Sequence, residues 1–228
     1  MRLTGCMERP TLVFIPGLMQ RGDAWAAVEE RLSESYPSVL LDSADDMSPE
    51  GAVTIGYSMG GRIALHVALT VPERWRALVL VGVSAGVEDR DARRAADEEL
   101  ADWIERNPIE AVVERWESQP VFASQPPELV LAQRPGRLSH DPTELARLLR
   151  LAGQGAMAPA WDRLPKLDLP VLCMAGALDE RYVAAGRRMA SLLPRGTFRT
   201  IPGAGHAPQL ETPAAVAAEL RGFLDECL

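Results

Sequence analysis

Three residues have the types and the chain order for nucleophilic or proton-transfer chemistry. Ser58 is the centre of Gly56-Tyr57-Ser58-Met59-Gly60. It follows the apolar, β-branched run Val53-Thr54-Ile55 and precedes the helix-like Gly61-Arg62-Ile63-Ala64-Leu65-His66-Val67-Ala68-Leu69. A serine on a sharp strand-to-helix turn stands clear of the sheet, and glycines flank it where a Cβ would clash. The free N–H groups of the following helix favour negative charge developing there. The hydroxyl is a weak nucleophile until a base takes its proton and a third group orients the base. His206 lies in the Gly-rich loop Pro202-Gly203-Ala204-Gly205-His206-Ala207-Pro208, after the last strand-like run, and is the expected base. His66, two turns into the helix after Ser58, reads as structural or surface, and His140 precedes any late acid. Asp179 in Ala175-Gly176-Ala177-Leu178-Asp179-Glu180 follows the preceding strand and is the expected acid. Glu180 is its competitor, and Asp168 falls at the wrong edge of that strand. An oxyanion hole needs two converging donors. Met59, next after the serine, would supply one N–H, and Leu18, after Pro16-Gly17, the other. Pro16-Gly17 reads equally well as a plain strand-ending turn.

The elements that must hold these residues alternate. Thr11–Ile15, Ser38–Asp42, the run before Ser58, Ala77–Val83, Leu169–Gly176 and Thr197–Ile201 read as buried strands. Helices are expected at Ala24–Leu32 with Asp23 as N-cap, after Ser58, near Val183–Leu193 and at Pro213–Leu224. Strands alternating with helices specify a mostly parallel sheet flanked by helices, an α/β fold with right-handed crossovers. Between Glu88 and Pro159 the composition shifts to Arg, Glu, Ala, Trp and Pro, with helical periodicity at about 89–105, 108–117, 126–134 and 142–151. The expected organisation is a core of residues 1–87 and 159–228, with 88–158 inserted as a helical cap over the sheet's carboxyl edge, where such folds bind ligands. One connection is short. Ser43 to Gly51, roughly nine residues reaching about 30 Å, can cross one strand but cannot pack a helix. A sheet face left thinly covered there would expose apolar surface that a second subunit, as in a homodimer, could bury.

With 228 residues, 47% hydrophobic and 25% charged content, the chain can bury a core of its own. A net charge of −8 argues against nucleic acid or an anionic membrane as general partner. Cys6, Cys173 and Cys227 are too few and too widely spaced for a disulfide framework or a metal cluster. Neither a secretory signal nor a run of eighteen apolar residues is visible, so a cytoplasmic enzyme with no membrane partner is expected.

From Thr11 onward the chain resembles the α/β-hydrolase superfamily, and within it most closely the MenH family of menaquinone-pathway 2-succinyl-6-hydroxy-2,4-cyclohexadiene-1-carboxylate synthases. The likeness rests on Gly56-Tyr57-Ser58-Met59-Gly60-Gly61-Arg62, with Arg four residues after Ser. It rests also on Ala92-Arg93-Arg94-Ala95-Ala96-Asp97 and on Arg115-Trp116-Glu117-Ser118-Gln119-Pro120-Val121-Phe122-Ala123-Ser124-Gln125 in the cap. The resemblance implies a lyase that uses hydrolase machinery. Ser58, within a triad with His206 and Asp179, would take a proton from a small polycarboxylate, and pyruvate would leave as the cyclohexadiene forms. No cofactor or metal is implied. Arg62, Arg93 or its neighbour Arg94, and Trp116 map onto the family's substrate contacts, Tyr57 borders them, and Arg134 is a weaker candidate. Arginine suits bidentate carboxylate recognition; without the resemblance, Arg93 and Arg94 read as a solvated helix face paired with Asp97 and Glu98. The family has His-Gly where this chain has Pro16-Gly17, a departure that touches the oxyanion loop. Two further readings are a carboxylic-ester hydrolase with Ser58 as covalent nucleophile and a non-catalytic ligand-binding member of the fold.

Overall fold

The computed structural model describes residues 9–43 and 49–227. Six strands, β1 (Leu12–Ile15), β2 (Ser38–Leu40), β3 (Ala52–Tyr57), β4 (Trp75–Val81), β5 (Val171–Gly176) and β6 (Gly196–Ile201), form one sheet in the order β2-β1-β3-β4-β5-β6. Every pairing is parallel. The central strands are buried along their whole length, because helices cover both faces of a parallel sheet and leave no polar side.

On one face, Phe14, Ile55, Val79 and Met174 pack against Trp25 and Val28 and against Val216, Leu220 and Phe223 of the C-terminal helix. On the other, Leu78, Leu80 and Cys173 pack against Ala64 and Leu65 of the helix after Ser58 and against Met189. The Trp25 indole N–H donates to the carbonyl of Ile15, the last residue of β1, at 3.1 Å. A fully buried donor is thereby satisfied, and the loop leaving β1 is anchored at its start.

The helix expected over Ala24–Leu32 is more broken than its apolar spacing implies. A 3-10 turn covers Gly22–Trp25, α1 covers only Ala26–Glu29, and hydrogen-bonded turns carry the chain on to Tyr36. Asp23 lies inside that 3-10 turn and does not cap it. The turn starts earlier than expected, after Arg21, and the Gly22 N–H donates to Asp42 Oδ1 at 3.1 Å, just past β2.

Between β4 and β5 lie α3 (Arg90–Glu105), α4 (Ile109–Glu117), α5 (Pro127–Leu138) and α6 (Pro142–Ala152), after α2 (Ser58–Ala68) earlier in the chain. The two ends of this helical segment meet, where the Ala160 N–H donates to the Ala85 carbonyl at 2.6 Å. Ala101 and Ile104 of α3, Val113 of α4, and Leu145 and Leu149 of α6 cluster with Met19 and Met59 of the sheet domain. The segment therefore sits directly on the loop after β1 and on the Ser58 turn. The stop expected before Pro135 does not occur, and α5 runs through it to Leu138. Pro135 removes one N–H, but the buried Arg137 pairs with Glu117 at 3.1 Å and holds the last turn in place.

The strand order puts β1 between β2 and β3, so the Ser43–Gly51 connection passes one strand. Residues 44–48 of that connection, and Cys6, lie outside the described residues. On the face concerned, Val13 and Thr54 are fully buried, and Val39 on the edge strand β2 is 42% exposed.

Candidate active site

Strand β3 runs directly into α2, and the reversal falls on Ser58, whose φ is +49°. A left-handed conformation is costly for any residue with a Cβ, about 1–2 kcal/mol, and such strain persists only where the surroundings enforce it. Here the enforcement is tight packing at two glycines. A Cβ on Gly56 would stand 2.5 Å from the Gly61 Cα, and one on Gly60 would stand 2.2 Å from the Pro16 carbonyl oxygen. The turn is thus clamped between its own helix and the loop after β1.

Each partner of Ser58 comes from the carboxyl end of a neighbouring part of the sheet. Asp179 follows β5 and caps α7 (Glu180–Leu192), its Oδ1 accepting from the Tyr182 N–H at 3.3 Å. Its Oδ2 lies 2.8 Å from His206 Nδ1, in the loop after β6, and His206 Nε2 lies 3.3 Å from Ser58 Oγ. With Asp179 ionised, Nδ1–H donates to Oδ2 and leaves Nε2 as the acceptor for the Ser58 hydroxyl. Glu180 is exposed, as the first residue of α7. The His206 ring is buried against Tyr182 at 4.5 Å and Tyr57 at 5.3 Å between centroids. The Tyr57 phenol is raised well above its ordinary pKa, first by burial, so it stays protonated.

The loop after β1 turns at Gly17–Gln20, closed by the Gln20 N–H to the Gly17 carbonyl at 3.2 Å, with Met19 at φ +62°. This turn brings Leu18 beside Ser58 and Met59 on the wall of a cavity of about 340 Å³. Pro16 leaves that loop packed against Gly60, so the chain's departure from His-Gly does not displace it from the serine turn.

The rest of the cavity is cationic and aromatic. Arg62, Arg93, Trp116, Tyr57 and His206 line it, together with Arg181, Tyr182 and Gln154, which no local sequence pattern had marked. Arg62 is only 6% exposed. Its Nη2 donates to the Ala152 carbonyl at 2.7 Å, and its Nε has no partner among the described residues. Burial pulls the Arg62 pKa down to about 10, yet the group remains a cation at neutral pH. Arg93 Nε donates to Asp97 Oδ1 at 2.7 Å, one helical turn away, while its Nη1 reaches Gln154 Oε1 at 3.4 Å. Arg94 lies on the exposed side of α3 and does not line the cavity. Arg134 is likewise outside, paired with Glu117 within the helical segment. His66, half-buried on α2, has its pKa lowered by burial and lines no part of the cavity. Among the described residues no group of three or more His, Cys, Asp or Glu side chains could hold a metal ion, and no helix is long and apolar enough to cross a membrane.

Comparison with known proteins places this geometry in context. Residues 16–219 match the profile of the Alpha/beta hydrolase family. A protein of Bacillus subtilis (strain 168), provisionally named 2-succinyl-6-hydroxy-2,4-cyclohexadiene-1-carboxylate synthase, is 35% identical over 193 residues, which cover 82% of this chain and 70% of that protein. The 2-succinyl-6-hydroxy-2,4-cyclohexadiene-1-carboxylate synthase of Serratia proteamaculans (strain 568) is 29% identical over 248 residues, covering 96% and 95%. The structure of MenH from S. aureus superposes with a TM-score of 0.89 at 27% identity, covering 97% of this chain and 96% of that one.

Proposed function

This chain belongs to the alpha/beta hydrolase family, and we propose that it is a 2-succinyl-6-hydroxy-2,4-cyclohexadiene-1-carboxylate synthase, a lyase that eliminates pyruvate from a polycarboxylate cyclohexene. The observation that carries this reading is the set of arginines, Arg62, Arg93 and Arg181, around the same cavity as Ser58. An uncharged ester needs no such set, whereas several carboxylates on one substrate do.

In this reading the Ser58 hydroxyl passes its proton to His206 Nε2, and Asp179 stabilises the imidazolium that results. Ser58 Oγ then takes the proton from the ring carbon that bears the succinyl ketone. The electron pair left behind spreads onto the ketone oxygen, where the N–H groups of Leu18 and Met59 are the donors for the developing charge. As the ring gains its second double bond, the carbon–oxygen bond to the enolpyruvyl group breaks, and that group takes up the proton held on His206 and leaves as pyruvate. Every step uses groups of the protein itself.

Ester hydrolysis is the second reading, favoured by the 3.3 Å Ser58–His206 contact, which suits a covalent nucleophile equally well. The non-catalytic reading draws support from no feature of the site, since His206 is within hydrogen-bonding reach of both Asp179 and Ser58. Pyruvate release from the cyclohexene, coupled to lactate dehydrogenase, should be measured beside p-nitrophenyl acetate turnover. Rapid pyruvate release is expected; fast ester turnover without it would sink the lyase reading.

A further inference from the structure

We propose that Arg181 and Gln154 form, with Arg93, a second carboxylate subsite at the junction of the helical segment and the sheet domain, separate from Arg62. The proposal rests on the polycarboxylate reading of the cavity and deepens it by naming where one carboxylate is held. Arg93 comes from α3, in the helical segment, and Arg181 from the first turn of α7, in the sheet domain. The side chain of Gln154 stands between them and is 8% exposed. Its Oε1 accepts from Arg93 Nη1 at 3.4 Å and from Arg181 Nη2 at 3.3 Å, while its Nε2 donates to Tyr182 Oη at 2.7 Å.

One neutral oxygen is thus shared by two guanidiniums, and both contacts lie at the long end of the hydrogen-bond range. Arg93 carries a carboxylate partner in Asp97, but Arg181 has none among the described residues; its other contact is the face of Tyr182, 5.7 Å from the ring centroid. The arrangement leaves cationic donors facing a cavity whose only lining carboxylate, Asp179, is already held by His206 and the Tyr182 N–H. A ligand carboxylate has two oxygens and full charge, so it satisfies both guanidiniums where the amide satisfies neither fully. Gln154 acts as a spacer that keeps the two arginines converged. Because Tyr182 also packs on His206, occupation of the subsite fixes the ligand relative to the base.

The test uses succinate and its monoamide, succinamate, which share length but differ by one carboxylate. Calorimetric titration of the unmodified protein should show at least tenfold preference for succinate. Arg181→Ala, at an exposed rim residue, should remove most of that preference, chiefly by weakening succinate. Gln154→Glu places a carboxylate between the same two guanidiniums and should also weaken succinate tenfold or more. In turnover, Arg181→Ala should raise KM for the cyclohexene about tenfold or more with kcat nearly constant, as loss of uniform binding requires. Equal affinity of the unmodified protein for the two ligands, or an unchanged preference in Arg181→Ala, overturns the subsite. Absence of pyruvate release by the unmodified protein is a separate outcome: it removes the lyase reading, and the titrations still decide the subsite.

Discussion

Glu211 holds the chain on both sides of His206. Its Oε2 accepts from the Gly205 N–H at 2.8 Å and its Oε1 from the Ala207 N–H at 3.1 Å, so one carboxylate fixes both neighbours of the base. The same Oε2 accepts from Ser124 Oγ at 2.8 Å, in the helical segment above the cavity. Asp179 orients the imidazole, and Glu211 fixes where the imidazole stands.

Glu211→Ala should therefore cost both stability and rate. Two backbone N–H groups lose their acceptor, a loss of about 1–3 kcal/mol, and a base displaced by about 1 Å loses on the order of a hundredfold in kcat. Glu211→Gln keeps an acceptor oxygen and should fall between. Thermal melts and kcat measured on both variants check this; full kcat in Glu211→Ala would show that the loop needs no such brace.

Ser58 should be worth more to function than to folding. Its φ of +49° is natural for glycine and strained for serine or alanine. Replacing Ser58 by Ala or by Gly should abolish turnover in both cases. The Gly variant escapes a strain of about 1–2 kcal/mol and gives back about 0.5–1 kcal/mol in unfolded-state entropy. The Gly variant should melt roughly 2 °C above the Ala variant. An Ala variant as stable as the Gly variant would mean that the turn is relaxed.

The meeting of Ser58, Asp179 and His206 was legible because each follows an apolar strand, β3, β5 or β6, and a parallel sheet gathers such ends at one edge. The helices between β4 and β5 were legible from their period. What escaped sequence reading depends on contacts between distant segments. Gln154 meets Arg93, 61 residues away, and Tyr182, 28 residues away, and a Gly-Gln-Gly loop carries no sign of either. The choice between Arg93 and Arg94 could not come from adjacent positions on one helix; Arg93, not Arg94, meets the distant Gln154 and lines the cavity. Asp23 failed as a cap because the first turn begins before it, at Gly22, whose N–H is held by the distant Asp42.

His140 makes stability depend on pH below neutrality. Burial first, then the charge of Arg21, lowers its pKa from 6.5 to about 4, against opposing terms from Asp23 and Asp42. Between these values the unfolded chain binds the proton and the native state does not, so stability falls as pH drops from about 6.5 to 4. With its partial exposure discounted, the loss comes to about 1–2 kcal/mol. In His140→Asn, melting temperature plotted against pH should be flatter over that window. An unchanged slope would assign the acid sensitivity to other groups.

If the proposed function holds, Arg62 trades stability for binding. Its folded pKa of about 10 lies below the ordinary guanidinium value, so below pH 10 both states are charged and the whole burial cost applies. That cost, at most about 3 kcal/mol, fades only as pH rises above 10, where the native state loses the proton first. At pH 7 the protein therefore carries a buried cation whose one hydrogen bond among the described residues is to the Ala152 carbonyl. Arg62→Met should remove the cation and leave that carbonyl unpaired, for a net gain of about 1–2 kcal/mol. The same change should cut kcat/KM for the cyclohexene at least about thirtyfold, since losing a desolvated charge pair costs 2 kcal/mol or more. Added succinate should raise the melting temperature of the unmodified protein more than that of Arg62→Met. If Arg62→Met melted lower and kept its turnover, Arg62 would be a structural bolt between α2 and the end of α6, and the carboxylate would have to be held by Arg93 and Arg181 alone.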